Sequence, residues 1–249
     1  MKPQPYLKTI VAALKSSLTE KRFLKIFLWN AVFVLSILVA FKIFSSLSQD
    51  QFTELAAVNL ENLQQKTREE MISINQKARE FIKTIVSLGI VFLIIEVFIL
   101  SITQANIYGL LGNKKASLKT FILANFLWVP LWALLFIAIA FGGNPSAYRA
   151  ASTILLLLFL HFTLFLYPQL VISRVGVSLK HAFAQAIRLH RVIIPYAIIV
   201  AVYLLASNIT LVTRLLPALA AQTANILLLI LLISWVQLFH AAVIQNRNA

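Results

Sequence analysis

The chain lacks residues on which most soluble proteins and many enzymes depend. None of its 249 residues is cysteine, which excludes disulfides, thiolate metal ligands and thiol chemistry. Only 12% of the residues are charged and 60% are hydrophobic, whereas a soluble domain is about 25% charged and about 45–50% apolar. This balance excludes a water-soluble globule and predicts an integral membrane protein.

Familiar catalytic motifs are also missing. Asp50 is the only aspartate, which excludes aspartyl intramembrane proteases, aspartate-rich prenyltransferases and phospholipid-forming alcohol phosphotransferases, because each needs several. The sequence contains no Gly-x-Ser-x-Gly elbow, no His-Glu-x-x-His pair and no phosphate-binding glycine-rich loop. Six glycines are few for a transporter built on broken helices. We therefore predict a protein that is not an enzyme and that needs neither a metal nor a cofactor.

Six hydrophobic stretches are long enough to cross a bilayer, which takes about 20 mostly apolar residues. They are Phe23–Phe44, Phe81–Tyr108, Lys119–Phe141, Ala150–Ser173, Arg191–Val212 and Ala218–Ile244. The predicted fold class is all-α: a multi-pass membrane protein with six transmembrane helices in three hairpins. Residues 1–249 are predicted to form a single membrane domain.

Lysine and arginine are distributed unevenly between the segments that join these stretches. The two short loops on one side hold only Arg149 and Arg214, and fourteen of the 22 basic residues fall on the other side. These fourteen are Lys2, Lys8, Lys15, Lys21, Arg22, Lys25, Lys114, Lys115, Lys119, Arg174, Lys180, Arg188, Arg191 and Arg247. Because basic loops stay in the cytoplasm, both termini are predicted to be cytoplasmic in a cell-membrane protein. The net charge of +14 favours anionic lipids of the cytoplasmic side as partners, and not nucleic acid.

Amphipathic segments precede three of the hydrophobic stretches. Within residues 1–22, one helical face carries Leu7, Ile10, Val11, Leu14 and Leu18, which predicts an amphipathic helix in the cytoplasmic interface. Similar Ser-Leu-Lys segments at 117–119 and 178–180 precede spans three and five. Gly112 and Gly176 are predicted to cap the preceding spans. Each hairpin is thus predicted to begin with a cytoplasmic interfacial helix.

This organisation loosely resembles the polytopic membrane domain attached to some bacterial glycerophosphodiester phosphodiesterases and its six-span relatives. The resemblance covers residues 1–249 as a pattern and rests on no diagnostic motif. The sequence contains no counterpart of the catalytic phosphodiesterase domain. What the resemblance implies is a six-helix bundle, and it carries over no site residue.

The segment 45–80 differs from the rest of the chain, because it is polar and contains neither glycine nor proline. Thr67 with Glu70 forms a capping-box pattern, and Ser48 with Gln51 forms a weaker one. These patterns predict two outer helices, about 50–65 and 67–80, the second continuous with span two. Heptad spacing runs through Thr67, Met71, Ile74, Ala78 and Phe81. The segment is either a solvated extension without a partner or a surface for a partner protein or for self-association.

A few polar residues lie inside the predicted spans. Glu96 is the only acidic residue there, and it shares a helix face with Gly89 and Thr103. His161 is near the middle of span four, at a depth that matches Glu96 if the spans end at Gly112 and Gly176. Such a pair relays a proton, holds the charged group of a ligand, or forms a structural hydrogen bond between two helices. Further polar residues cluster toward the predicted cytoplasmic half: Asn30, Gln104, Asn106, Asn125, Gln169, Gln237 and His240.

Two hypotheses for function follow. The first is a membrane scaffold or assembly factor that binds lipid or a partner protein, as the missing catalytic motifs and the polar insert indicate. The alternative is a small proton-coupled transporter with Glu96 and His161 at its site, supported by Thr103, Gln237 and His240. The four tryptophans near span ends are partly consistent with an interfacial belt.

Overall fold

The computed structural model describes residues 10–15, 17, 21–56, 67–142, 145–188, 193–213 and 216–248. In this part of the chain there are seven long or medium helices and no strand. They are α1 (Phe23–Ala56), α2 (Arg68–Gly112), α3 (Leu118–Gly142), α4 (Pro145–Leu170), α5 (Val175–Ala186), α6 (Ile193–Thr213) and α7 (Ala218–Asn248). The predicted all-α class is confirmed.

Six of these helices, all except α5, are long and apolar enough to cross a membrane. Their apolar parts are Phe23–Gln49, Met71–Gly112, Leu118–Ile139, Ala150–Leu170, Ile193–Thr210 and Ala218–Val243. Each contains most of one predicted stretch, so the six predicted spans are confirmed. The protein is therefore a multi-pass, helical integral membrane protein.

The chain divides into two compact units. The first, here called the bundle unit, comprises Met1–Val32 and Leu100–Ala249, and the second, the hairpin unit, comprises Phe33–Ile99. In the bundle unit, α4 packs against α3, α5 and α7, and α6 packs against α7. The centre of the bundle unit is aromatic: Tyr167 lies against Phe121 and Tyr108, with ring centroids 5.7 and 5.5 Å apart.

Three of the four tryptophans belong to this packed interior. Trp128, Trp132 and Trp235 are buried, and Trp128 and Trp132 meet edge to face. Trp29 alone is half-buried. The apolar area of the three buried rings is used in contacts between helices, and the interfacial belt stays a prediction.

The turn between α2 and α3 replaces one of the predicted interfacial helices. Asn113 has a left-handed backbone with φ of 51°, and the amides of Asn113 and Lys114 donate to the carbonyls of Leu110 and Gly109. These bonds form a Schellman motif, in which the residue after the helix turns the chain back. Asn113 thus takes the left-handed position that was expected to need Gly112. Residues 113–117 are non-helical, and α3 begins directly at Leu118.

The amphipathic segment before span five does form a helix of its own. This helix, α5, buries Ser178, Ala182 and Ala186 along one face. Gly176 lies inside α5 and does not cap α4, which ends at Leu170. The predicted cap is therefore wrong, and the depth match between Glu96 and His161 loses the helix end from which it was counted.

At the N-terminal end, residues 10–15 are helical. Ile10 and Ala13 are buried against α7, in a cluster with Phe239 and Val243, whereas Val11 is exposed. Leu7 and Leu18 lie outside the described residues. The position of this segment in the membrane interface stays a prediction.

The helix start predicted near residue 50 is wrong, because α1 continues without a break to Ala56. Ser48 does not cap a new helix: its hydroxyl donates to the carbonyls of Phe44 and Ser45 in the preceding turn, a bond that serine makes inside helices. Residues 57–66 lie outside the described part. The second predicted start is confirmed, since α2 begins at Arg68, directly after Thr67, and runs unbroken through span two.

Candidate functional site

A buried amide network joins α1, α2 and α7 in the bundle unit. The Asn30 side-chain amide donates to Ser234 Oγ at 3.0 Å and to Gln237 Oε1 at 2.8 Å. Gln237 in turn donates to Gln104 Oε1 at 3.3 Å. All four side chains are buried, so each hydrogen bond replaces water that these groups would otherwise need. Three of the predicted polar residues, Asn30, Gln104 and Gln237, are thus brought together.

A second buried network joins α2, α3 and α4. The Tyr167 hydroxyl donates to Asn125 Oδ1 at 2.9 Å, and Asn125 Nδ2 donates to Ser101 Oγ at 3.0 Å. Asn125 and Ser101 are fully buried. Ser101 and Tyr167, like Ser234 in the first network, were missed by sequence reasoning. Helical spacing could have indicated Ser234, which lies one turn before Gln237 on the same face.

His161 connects α4 to α5 and α6. One ring nitrogen, Nδ1, lies 2.5 Å from the hydroxyl of Tyr196, and the other, Nε2, lies 3.1 Å from the carbonyl oxygen of Ala186. The carbonyl can only accept, so Nε2 carries the proton and Nδ1 accepts from Tyr196 when the ring is neutral. The bonds hold the end of α5 and the start of α6 against α4. This arrangement ties three helices together.

The remaining predicted site residues of the bundle unit have other contacts. Thr103 is buried and donates to the carbonyl of Leu100 in its own helix at 3.0 Å. His240 is buried, with its ring edge to face against Phe165 at 5.0 Å between centroids. Asn106 is exposed and bonds its own helix, and Gln169 reaches Gln185 of α5 at 3.4 Å.

Glu96 belongs to the hairpin unit, where α1 and α2 meet. Its Oε2 lies 3.1 Å from Ser36 Oγ, and its Oε1 is buried and makes no hydrogen bond to any residue that the structure describes. Ser36 Oγ also lies 2.7 Å from the carbonyl oxygen of Phe33. One hydroxyl proton cannot satisfy both acceptors. Glu96 is therefore under-satisfied, while His161 in the bundle unit has two partners of its own.

The two helices of the hairpin unit meet along a narrow seam. Phe44 and Phe92 contact edge to face, with ring centroids 5.8 Å apart. Half-buried residues recur along α2 at Ile74, Ala78 and Phe81, which continues the predicted heptad. Ser48 and Val97 are the only buried side chains among those described between Phe33 and Ile99. The described residues of the hairpin unit therefore bury few side chains against one another.

Two cavities of similar size lie in the bundle unit. An apolar cavity of about 600 Å³ lies against α6 and α7, with Leu205, Leu231 and Trp235 among its lining residues. A basic cavity of about 640 Å³ surrounds the turn between α2 and α3. It is lined by Arg22, Ala105, Asn106, Gly109, Leu110, Asn113, Lys114, Lys115, Ala116 and Leu118. Among the described residues, no group of three histidine or acidic side chains is placed to hold a metal ion.

The two buried networks of the bundle unit consist of neutral amides and hydroxyls that join helices to one another. Among the described ionisable groups, Arg22, Lys114 and Lys115 line the basic cavity. Glu96, His161 and His240 lie among the helices of their own units. Comparison of the chain with protein-family models, curated proteins and solved structures finds no match to any of them.

Proposed function

We propose that this membrane protein is a scaffold that binds another polypeptide through its hairpin unit. The observation that supports the proposal is that, among the side chains described between Phe33 and Ile99, only Ser48 and Val97 are buried. Two helices that bury little against each other need further contacts, from lipid inside the membrane and from protein outside it. The resemblance to the membrane domain of glycerophosphodiester phosphodiesterases remains a separate proposal.

The outer part of α2 is the segment that lipid cannot cover. α2 has 45 residues and is therefore about 67 Å long, roughly twice the thickness of a bilayer core. The candidate membrane-spanning stretch of α2, Met71–Gly112, has 42 residues, about twice what one crossing needs. Because its first turns up to Glu80 are mostly polar, we place them outside the membrane. Met71 and Ile72 in this polar region are 44% and 59% exposed. Exposed apolar side chains on a solvated helix are typical of a protein contact.

Acidic substitutions at this contact test the proposal. We expect Met71→Glu with Ile72→Glu to weaken retention of a co-purifying polypeptide by about tenfold or more, since buried apolar anchors dominate such contacts. The measurement is native mass spectrometry of the full chain extracted gently from its own membrane. Ser73→Glu with Asn75→Glu is the matched control, because it adds the same charge at exposed polar positions of the same helix. Equal retention by both variants would overturn the proposal, and the bound mass distinguishes a second copy from another protein.

The orientation in the membrane is part of this proposal. The basic residues support cytoplasmic termini. With that orientation, the turn at residues 113–117 faces the cytoplasm, and the segment between α1 and α2 faces the other side of the membrane. Since the chain has no native cysteine, single cysteines at Ser117 and Ser146 can be labelled without background. With cytoplasmic termini, we expect a membrane-impermeant reagent added outside to label Ser146→Cys and not Ser117→Cys. Labelling of Ser117→Cys from outside would show that the orientation is the opposite one.

The under-satisfied Oε1 of Glu96 supports a second candidate, a proton-coupled transporter in which Glu96 and His161 carry protons. Glu96→Gln keeps the side-chain shape and removes its acid. In a transporter we expect this change to abolish pH-dependent uptake into proteoliposomes, because the proton carrier is lost. In a scaffold, partner retention stays within twofold of the unchanged protein. Uptake that survives the substitution would eliminate the relay.

A further inference from the structure

We infer that α5 is a re-entrant helix, whose second half inserts into one leaflet of the membrane and contacts the acyl chains there. The leaflet is the one on the side where α4 ends and α6 begins. With 12 residues, α5 is about 18 Å long and therefore too short to cross a bilayer core of about 30 Å. A helix of this length that adjoins a span lies either in the interface or re-enters the membrane, and its contacts decide between the two. The inference is independent of the hairpin contact.

α5 runs back along α4 from the turn that joins the two helices. Next to this turn, the hydroxyl oxygens of Ser173 and Ser178 lie 2.8 Å apart. At the far end of α5, the carbonyl oxygen of Ala186 lies 3.1 Å from Nε2 of His161. Between these two contacts, Ala182 is buried in the core of the bundle unit. Because residue numbers rise along α5 while they fall along the adjoining part of α4, the two helices are antiparallel and packed from one end of α5 to the other.

Two of the spans show how deep α5 reaches. The apolar part of α4 ends at Leu170, and His161, which holds the end of α5, lies nine residues before it, or about 13 Å along the helix. The apolar part of α3 begins at Leu118. Phe183 of α5 packs against Trp128 of α3, with ring centroids 5.9 Å apart, and Trp128 lies about 15 Å beyond Leu118 along that helix. Both spans therefore place the second half of α5 inside the apolar region and not at its surface.

The composition of α5 changes along its length in the same direction. The half next to the turn carries Lys180 and His181, which are both exposed. The deeper residues, 182–187, include no charged residue, as the cost of charge inside a membrane requires. Their one polar side chain, Gln185, is half-buried and accepts a hydrogen bond from Gln169 at 3.4 Å. A helix lying flat in the interface would keep charged residues along its whole polar face.

The exposed side chains of the deeper half are apolar. They are Phe183, Ala184 and Ile187, of which Ile187 is 70% exposed. At the depth of His161, such a surface meets acyl chains and not water. Arg188 follows at the tip of the helix and is exposed, and arginine side chains inside a membrane extend back toward the headgroups. Lipid is therefore the partner that this face fits.

The chain then returns to the side from which it came. α6 begins at Ile193, and Ile194 packs against the cluster that contains Val243. Val243 is the last residue of the apolar part of α7. Near the same end of α7, His240 contacts Phe165 of α4, with ring centroids 5.0 Å apart. The end of α4 and the start of α6 thus lie at the same membrane surface, and α5 enters the membrane between them.

The test measures the depth of α5 for the full chain in phosphatidylcholine liposomes. Because the chain has no cysteine, a spin label can be attached to one introduced cysteine, and its access to oxygen and to a water-soluble nickel chelate reports its depth. Val177 and Ala184 lie two turns apart on the same exposed face of α5. We expect the label of Val177→Cys near the headgroups and the label of Ala184→Cys about 10 Å deeper. Lys180→Cys and Ile187→Cys form a second pair with the same spacing.

All four side chains are exposed, so these substitutions leave the packed face of α5 intact. Equal access to the nickel chelate within both pairs would place α5 along the membrane surface and overturn the inference. Little access to either reagent at Ala184→Cys and Ile187→Cys would show that protein covers this face, and it would overturn the contact with lipid. Retention of a polypeptide by the hairpin unit should be the same in all four variants, so a failure of that contact is distinguishable from a failure of this inference.

Discussion

Replacing Phe121 by alanine is expected to lower the free energy of unfolding by about 3–5 kcal/mol, the range for a large aromatic side chain lost from a core. Phe121 is fully buried at the centre of the bundle unit, against Tyr167. Inside a membrane, the loss comes mainly from dispersion contacts, since the cavity left behind has no atoms to replace the ring. Reversible unfolding in mixed detergent micelles, followed by circular dichroism, measures the change.

Phe41→Ala is the control for this prediction. Phe41 is 70% exposed on α1, so lipid or detergent fills the space when the ring is removed. We expect a change of less than about 1 kcal/mol, as at surface positions generally. If both variants lose equal stability, Phe121 does not belong to a packed core.

Asn125→Ala should lower the free energy of unfolding by about 2 kcal/mol. The substitution removes the amide oxygen that accepts from the Tyr167 hydroxyl and the amide donor to Ser101 Oγ, and losing the partner of a buried polar group costs about 1–3 kcal/mol. Asn208→Ala makes the same chemical change at an exposed position of α6 and should be nearly neutral. In a double-mutant cycle with Tyr167→Phe, we expect a coupling of about 1 kcal/mol, within the range measured between membrane helices. A coupling energy of zero would exclude the hydrogen bond between Tyr167 and Asn125.

The spans could be predicted from sequence because length and hydropathy alone fix them. Helix ends were harder, since they depend on a few local bonds. Asn113, and not a glycine, takes the left-handed position after α2, and Ser48 bonds backward within α1 instead of starting a helix. Serine can either cap the start of a helix or donate to a carbonyl of the preceding turn, so the residue type alone does not decide which bond forms.

The contacts of the buried polar residues could also be predicted only in part from the sequence. Sequence reasoning selected Asn30, Gln104 and Gln237 by residue type and depth, and the structure joins them. It could not find Tyr196 as the partner of His161, because the two lie on different helices and tyrosine is common in membrane spans. Arg22 was counted only as a charge for orientation. Its role at the end of α2 depends on a contact across 88 positions in the chain, which no local pattern reports.

The buried amide network between α1, α2 and α7 determines how these helix contacts respond to acid. The side chains that join α1, α2 and α7 are those of asparagine, glutamine and serine, and none of them gains or loses a proton in the range in which cells live. Acidification of either compartment therefore leaves these three helices tied as they were. This network is therefore insensitive to pH, and any acid-sensitive behaviour of the protein must come from its histidines and carboxylates.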